Sequence, residues 1–212
     1  MTRAVRRSLA VIGVGAGLVL LLTGCGSSST GTTADLPTAA PLASDLGFDA
    51  GSELTAGTIV QWSDPFASDD AFTAVAASED GSSWGYTDSS TSCTLGFWQG
   101  DLDGVDTASG DSAASDALLA AETGTTVADI EDYVESDVAD FVSGSSLISA
   151  RSLLGADSER GTIYVVSARA FTVLGEGLIA SLECPSGIDV LDQWQSYLEN
   201  EGAFAAYFLG GS

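Results

Sequence analysis

The sequence predicts an α+β domain, a largely antiparallel sheet with helices packed on one face and one disulfide. Three observations carry this. Runs of β-prone residues separated by turn signals fill 57–100 and return at 146–184. Between them the apolar period lengthens from two to about 3.6. A second helical stripe follows at 189–198. Strands, helices, strands and a helix in that order form the α+β pattern. The domain is expected over 45–212, long enough to bury a core of its own.

The elements follow in chain order. "GTIVQW" (57–62) alternates as a short strand and breaks at Asp64-Pro65. "AFTAVAA" (71–77) and "SWGYTD" (83–88) flank Asp80-Gly81, a hairpin signal. "SCTLGFWQG" (92–100) adds a third strand to this meander. "DSAASDALLAAETG" (111–124) opens with cap-type residues and stops at Gly124, which reads as a helix. A second helix is expected from Thr126, a cap with Asp129 three residues on, to Gly144. Val127, Ile130, Val134, Val138 and Phe141 form its apolar stripe. Its other face is acidic, with no opposite charge at i+4, so its stability has to come from packing. "SLISARSLL" (146–154), "GTIYVVSARAFTVL" (161–174) and "GLIASLEC" (177–184) are strands, and 161–174 is apolar on both faces like a central strand. Asp189 caps the helix "DVLDQWQSYL" (189–198). This order is similar to Mog1/PsbP-like domains, a likeness in element order alone.

The first 44 residues have another character. Arg3, Arg6 and Arg7 precede an uncharged apolar stretch, Ser8 to Gly24. A basic start and an apolar run are the parts of a signal peptide. At roughly 17 residues the run is at the lower edge of a membrane span, and Gly13, Gly15 and Gly17 weaken it as a helix. It ends in Leu22-Thr23-Gly24-Cys25. This resembles the lipobox of bacterial lipoproteins, of the high-GC Gram-positive type. The resemblance implies cleavage of residues 1–24 and a thioether-linked diacylglycerol on Cys25. It implies anchoring on the extracytoplasmic side of the cell membrane, since two or three acyl chains hold firmly where one does not. An ordinary secretory signal and an uncleaved span are the competing readings. Residues 25–44, rich in Ser, Thr, Gly, Ala and Pro, read as a flexible linker with a reach of roughly 25 Å.

In that setting the two remaining cysteines, Cys93 and Cys184, are expected to form a structural disulfide. Neither is in a Cys-x-x-Cys motif.

Charge and composition exclude much. All 30 acidic residues follow Cys25, against Arg151, Arg160 and Arg169 alone, a formal −27 beyond the signal. Such a surface repels phosphate backbones, so no nucleic-acid partner is expected. The chain has no histidine and no lysine. That removes Ser-His-Asp and Cys-His catalysis, nearly all zinc sites, Schiff bases and P-loops. No cofactor is expected.

What remains is modest. Asp101, Asp103, Asp106 and Asp111 fall in one Gly-containing stretch, an oxygen-rich set of the kind calcium takes, although the EF-hand order is missing. An ordinary solvated acidic loop is the plainer alternative. Trp62, Trp84, Trp98 and Trp194, with Tyr86, Phe97 and Tyr164, line either a carbohydrate or apolar-ligand groove or the core. Arg169 lies in the strand expected to be buried and needs a carboxylate partner. Arg151 and Arg169 together are the alternative, an anion site. The expected function is a non-catalytic, monomeric binding or interaction module for an envelope partner or small ligand. A cation-binding, sensor-like domain is the alternative, and a small carboxylate-dependent hydrolase is the third reading.

Overall fold

The computed structural model describes residues 39–209 apart from 41 and 43. The expected signal 1–24, Cys25 and most of the expected linker lie outside the described residues. Within the expected linker, however, β1 (Ala39–Ala40) already pairs with the last strand. No helix among the described residues is long and apolar enough to cross a membrane.

The remaining strands are β2 (Ile59–Trp62), β3 (Phe72–Val75), β4 (Ser83–Asp88), β5 (Thr94–Asp101), β6 (Val134–Ser136), β7 (Phe141–Ser143), β8 (Ser146–Ile148), β9 (Arg151–Asp157), β10 (Thr162–Phe171), β11 (Glu176–Pro185) and β12 (Ala206–Leu209). The helices are α1 (Gly110–Thr123), α2 (Val127–Ile130) and α3 (Val190–Glu201). Seven strands form one antiparallel sheet in the order β3-β4-β5-β11-β10-β9-β6. A small sheet runs β1-β12-β2, and β7 pairs with β8.

The α+β class, the antiparallel sheet and the disulfide are as the sequence predicts. The distribution of the helices is finer than expected. Strand β10 is buried on both sides, and its alternate residues belong to two separate cores. Val166, Ala168 and Ala170 pack with Ala114, Leu118 and Leu119 of α1. Val165 and Phe171 belong with Trp194 and Tyr197 of α3, Val60 and Trp62 of β2, and Phe208 of β12. So α1 and α3 take opposite faces instead of sharing one, as a strand apolar on both faces requires.

Helix α1 ends at Gly124, in the left-handed region at φ 67°. Asp189 accepts the N–H groups of Leu191 and Asp192 at 3.0 and 3.2 Å, capping α3 as expected. The expected second helix is a correction. It lasts one turn, Val127–Ile130, and the chain then becomes β6 and β7. Its apolar period was genuine, but Glu131 and Glu135 repel at i,i+4, and the valines favour strand. In β6, Val134 instead lies opposite Leu153. The expected strand 146–154 is also two strands. It breaks because the Ser149 carbonyl accepts from Arg169 Nη1 at 3.0 Å and the Ala150 N–H donates to Asp140 at 2.9 Å.

Arg169 is fully buried. Its Nη2 lies 3.0 Å from Asp111 Oδ2 and also donates to the Gly47 carbonyl. The guanidinium sits over Phe48 and Phe171. Burial lowers its pKa to about 10 against the opposing pull of Asp111, so it stays charged at neutral pH. Asp111 Oδ1 takes the Thr172 N–H and hydroxyl at 2.9 and 2.6 Å. Gly51 has to be glycine, because a Cβ there would collide with the Asp111 carboxylate.

Cys93 and Cys184 are bonded, both fully buried, with Cα atoms 4.2 Å apart. The bond closes a loop of sequence separation 91, which on the chain-entropy account contributes about 4 to 5 kcal/mol. Beside it, Asp88 accepts from Tyr197 at 2.6 Å and from Ser90 and Thr91. Burial alone would raise the Asp88 pKa, but these bonds outweigh it and hold the carboxyl at about 2.

Replacing Asp111 with Ala leaves the Arg169 charge buried without its partner. Urea denaturation should show a loss of about 3–5 kcal/mol, and a loss below about 1 kcal/mol would mean that the pair contributes little.

Candidate functional site

Helix α1 covers only part of its face of the sheet. From beneath its C-terminal half outward, three rungs of cross-strand neighbours can be read from the register. Trp98, Ile179 and Ala168 form the first, Gly96, Ser181 and Val166 the second, and Thr94, Glu183, Tyr164 and Gly155 the third. The middle rung is a low floor because Gly96 and Ser181 are small. An open trough results, with one part of about 480 Å³ and another of about 180 Å³ that share Glu122 and Ser181.

Two aromatic rings are pressed flat at its sides. The Tyr164 ring lies over Gly155, where a Cβ would collide with it. The Trp98 ring lies over Gly100 and Gly177, where added Cβ atoms would come within 2.9 and 3.2 Å. These glycines matter for close approach, not for turns. Trp84 borders the smaller part, but it stands opposite Phe97 in the register, so its ring lies on the α3 face, where it stacks on Phe97 with centroids 5.8 Å apart. Its Nε1–H is buried with no hydrogen-bond partner.

The rim of the larger part is charged. Asp157 ends β9, and Arg160 follows in the hairpin to β10. Arg160 Nε donates to Asp157 at 2.6 Å, and its Nη1 is 2.9 Å from Glu183. Thr162 also donates to Glu183, at 2.7 Å. The Arg160 side chain, then the backbone N–H of Arg160, lowers the Asp157 pKa below the ordinary carboxylate value. The pairings with Asp157 and then Glu183 raise that of Arg160. Glu122 and Thr123 bring the last turn of α1 to the trough, and that turn has no basic residue to offset the negative helix end.

The residues singled out in the sequence separate accordingly. Trp98 and Tyr164 line the trough, whereas the Trp84 ring packs against the core on the α3 face. Trp62, Tyr86 and Phe97 are buried in the core, and Trp62 Nε1 donates to the Trp98 carbonyl at 2.9 Å. Arg151 and Arg169 do not converge on an anion. Arg151 lies opposite Ala168, on the α1 face, and bonds Asp116 at 2.6 Å and Ser136 at 2.7 Å. Arg169, one residue along, points to the other face.

The four aspartates of 101–111 do not come together either. Asp111 is committed to Arg169 and Thr172, while Asp103 and Asp106 are exposed. Asp101 stands opposite Glu176, whose pKa is raised by burial and then by the Asp101 charge. Among the described residues no three His, Cys, Asp or Glu side chains are grouped to hold a metal ion. Nothing local marks Glu122, Asp157, Arg160, Glu183 or Ser181 in the sequence, because the register that unites them joins distant segments.

Comparison with protein-family models, with curated proteins and with solved structures gives no match.

If the trough side chains are surface and not core, Tyr164→Ser should cost less than about 1.5 kcal/mol in chemical denaturation. Trp194→Ala, at a ring stacked 3.6 Å from Phe204, should cost about 3–5 kcal/mol. Equal losses would refute the distinction.

Proposed function

We propose that this chain is a lipid-anchored cell-envelope protein whose α+β domain is a non-catalytic binding module, with its ligand taken in the trough between Trp98 and Tyr164. The trough carries the reading. It is an open concavity with aromatic sides, a floor of small residues and a few polar groups at its rim, the ordinary make-up of a ligand site.

A binding role fits the rim better than hydrolysis. A general acid needs a carboxyl whose pKa is raised toward neutrality, whereas Arg160 holds Asp157 in its ionised form. The absence of histidine and lysine from the chain points the same way. The anchoring half of the proposal rests on Leu22-Thr23-Gly24-Cys25 and the basic and apolar segments before it.

Two experiments test the two halves. Cells expressing the full chain and fed labelled palmitate should label it, and Cys25→Ala should abolish the label; label retained in the variant would refute anchoring at this residue. For binding, a small-molecule library of mixed charge is screened by NMR against the domain. Hits should shift the Trp98 indole and Tyr164 signals in preference to those of buried Trp62 and Trp194. A screen without hits at these residues would refute the binding role.

A further inference from the structure

We infer that the trough recognises an organic ammonium or guanidinium cation, a ligand class that rests on the binding role proposed above. The cavity itself makes the argument. Its aromatic sides, Trp98 and Tyr164, are fixed flat by the glycines beneath them, and flat aromatic faces attract cations through the ring quadrupole. Its larger part is lined by Glu122, Asp157 and Glu183, together with the uncompensated C-terminal turn of α1. A ligand entering there meets negative potential from the rim and from the helix end.

The chain displays the fit with a side chain of its own. Of the three arginines among the described residues, Arg151 is bonded to Asp116 and Ser136, and Arg169 is buried with Asp111. Arg160 alone is at the trough, where it bridges Asp157 and Glu183 from the hairpin tip with its side chain 61% exposed. It occupies part of the rim as a tethered cation, and Glu122 on the opposite element has no such partner. A ligand cation with an apolar body would lie along the aromatic sides and place its charge between Glu122 and Glu183. Arg160 then competes with the ligand and does not recruit it. This sets the sign of the test, because an anion or a neutral sugar would use Arg160 as a donor.

The domain is titrated with spermidine and with benzylamine, followed by NMR at Trp98 and Tyr164, with maltotriose and benzoate as neutral and anionic probes. The amines should bind, weaken as salt is raised from 50 to 500 mM, and bind roughly fivefold tighter to Arg160→Gln and fivefold weaker to Glu122→Gln. Thermal melting of each variant confirms that it is folded, and Glu183→Gln serves as a second acidic variant. Weaker amine binding in R160Q overturns the inference. So does binding of maltotriose or benzoate at these residues without the amines, although the binding role then stands. No shift with any probe or library compound overturns both.

Discussion

The buried guanidinium of Arg169 fixes where everything else lies. It rises from the middle of the sheet and holds the loop carbonyls of Gly47 and Ser149 and the first turn of α1 through Asp111. A charge without solvent has to be matched or expelled, so these three segments cannot drift independently. The matched pair is not an efficient source of stability, since well-packed apolar residues often do as well. What it supplies is position. Gly51 closes over the pair because no side chain fits, and the strand expected across Ser149 breaks there because its backbone groups are used elsewhere.

The trough follows from that position. The first turn of α1 sets Asp111 beside Thr172, and Ser115 takes the Ala170 N–H. The helix therefore runs back along β10, toward Tyr164. With 14 residues it spans about 21 Å, whereas the 10 residues of β10 span about 33 Å. The helix runs out before the strand does. The sheet left uncovered is where the middle rung is small and Trp98 and Tyr164 lie flat.

Local pattern and local chemistry carried much of the architecture. Asp80-Gly81 marked the β3–β4 hairpin, Gly124 the end of α1 and Asp189 the start of α3, because each acts within a turn of itself. The stripe from Val127 to Phe141 misled because a spacing of three and four is also met by two short strands on one core. The C-terminal strand β12 was not foreseen; its pairing with β2 joins residues more than 140 apart. The trough was legible only as aromatics without an assignment. Trp62 and Trp98 look alike in sequence, and only the register sends one inward and leaves the other at a glycine-floored face.

The seam between β5 and β11 has a consequence for how the chain is assembled. Six of the seven strands form two runs of sequential hairpins, β3-β4-β5 and β9-β10-β11, with β6 added outside β9, and the seam joins the runs across about 80 residues. Each run can zip up from its own turns at little entropic cost, but the seam must wait for loop closure. A chain made from its N-terminus therefore carries the inner edge of β5 unpaired until Cys184 has emerged. An open edge of that kind invites pairing with other chains. The Cys93–Cys184 bond, one rung beyond the last seam pair, converts the slowest junction of the sheet into one that, once oxidised, cannot reopen as an edge.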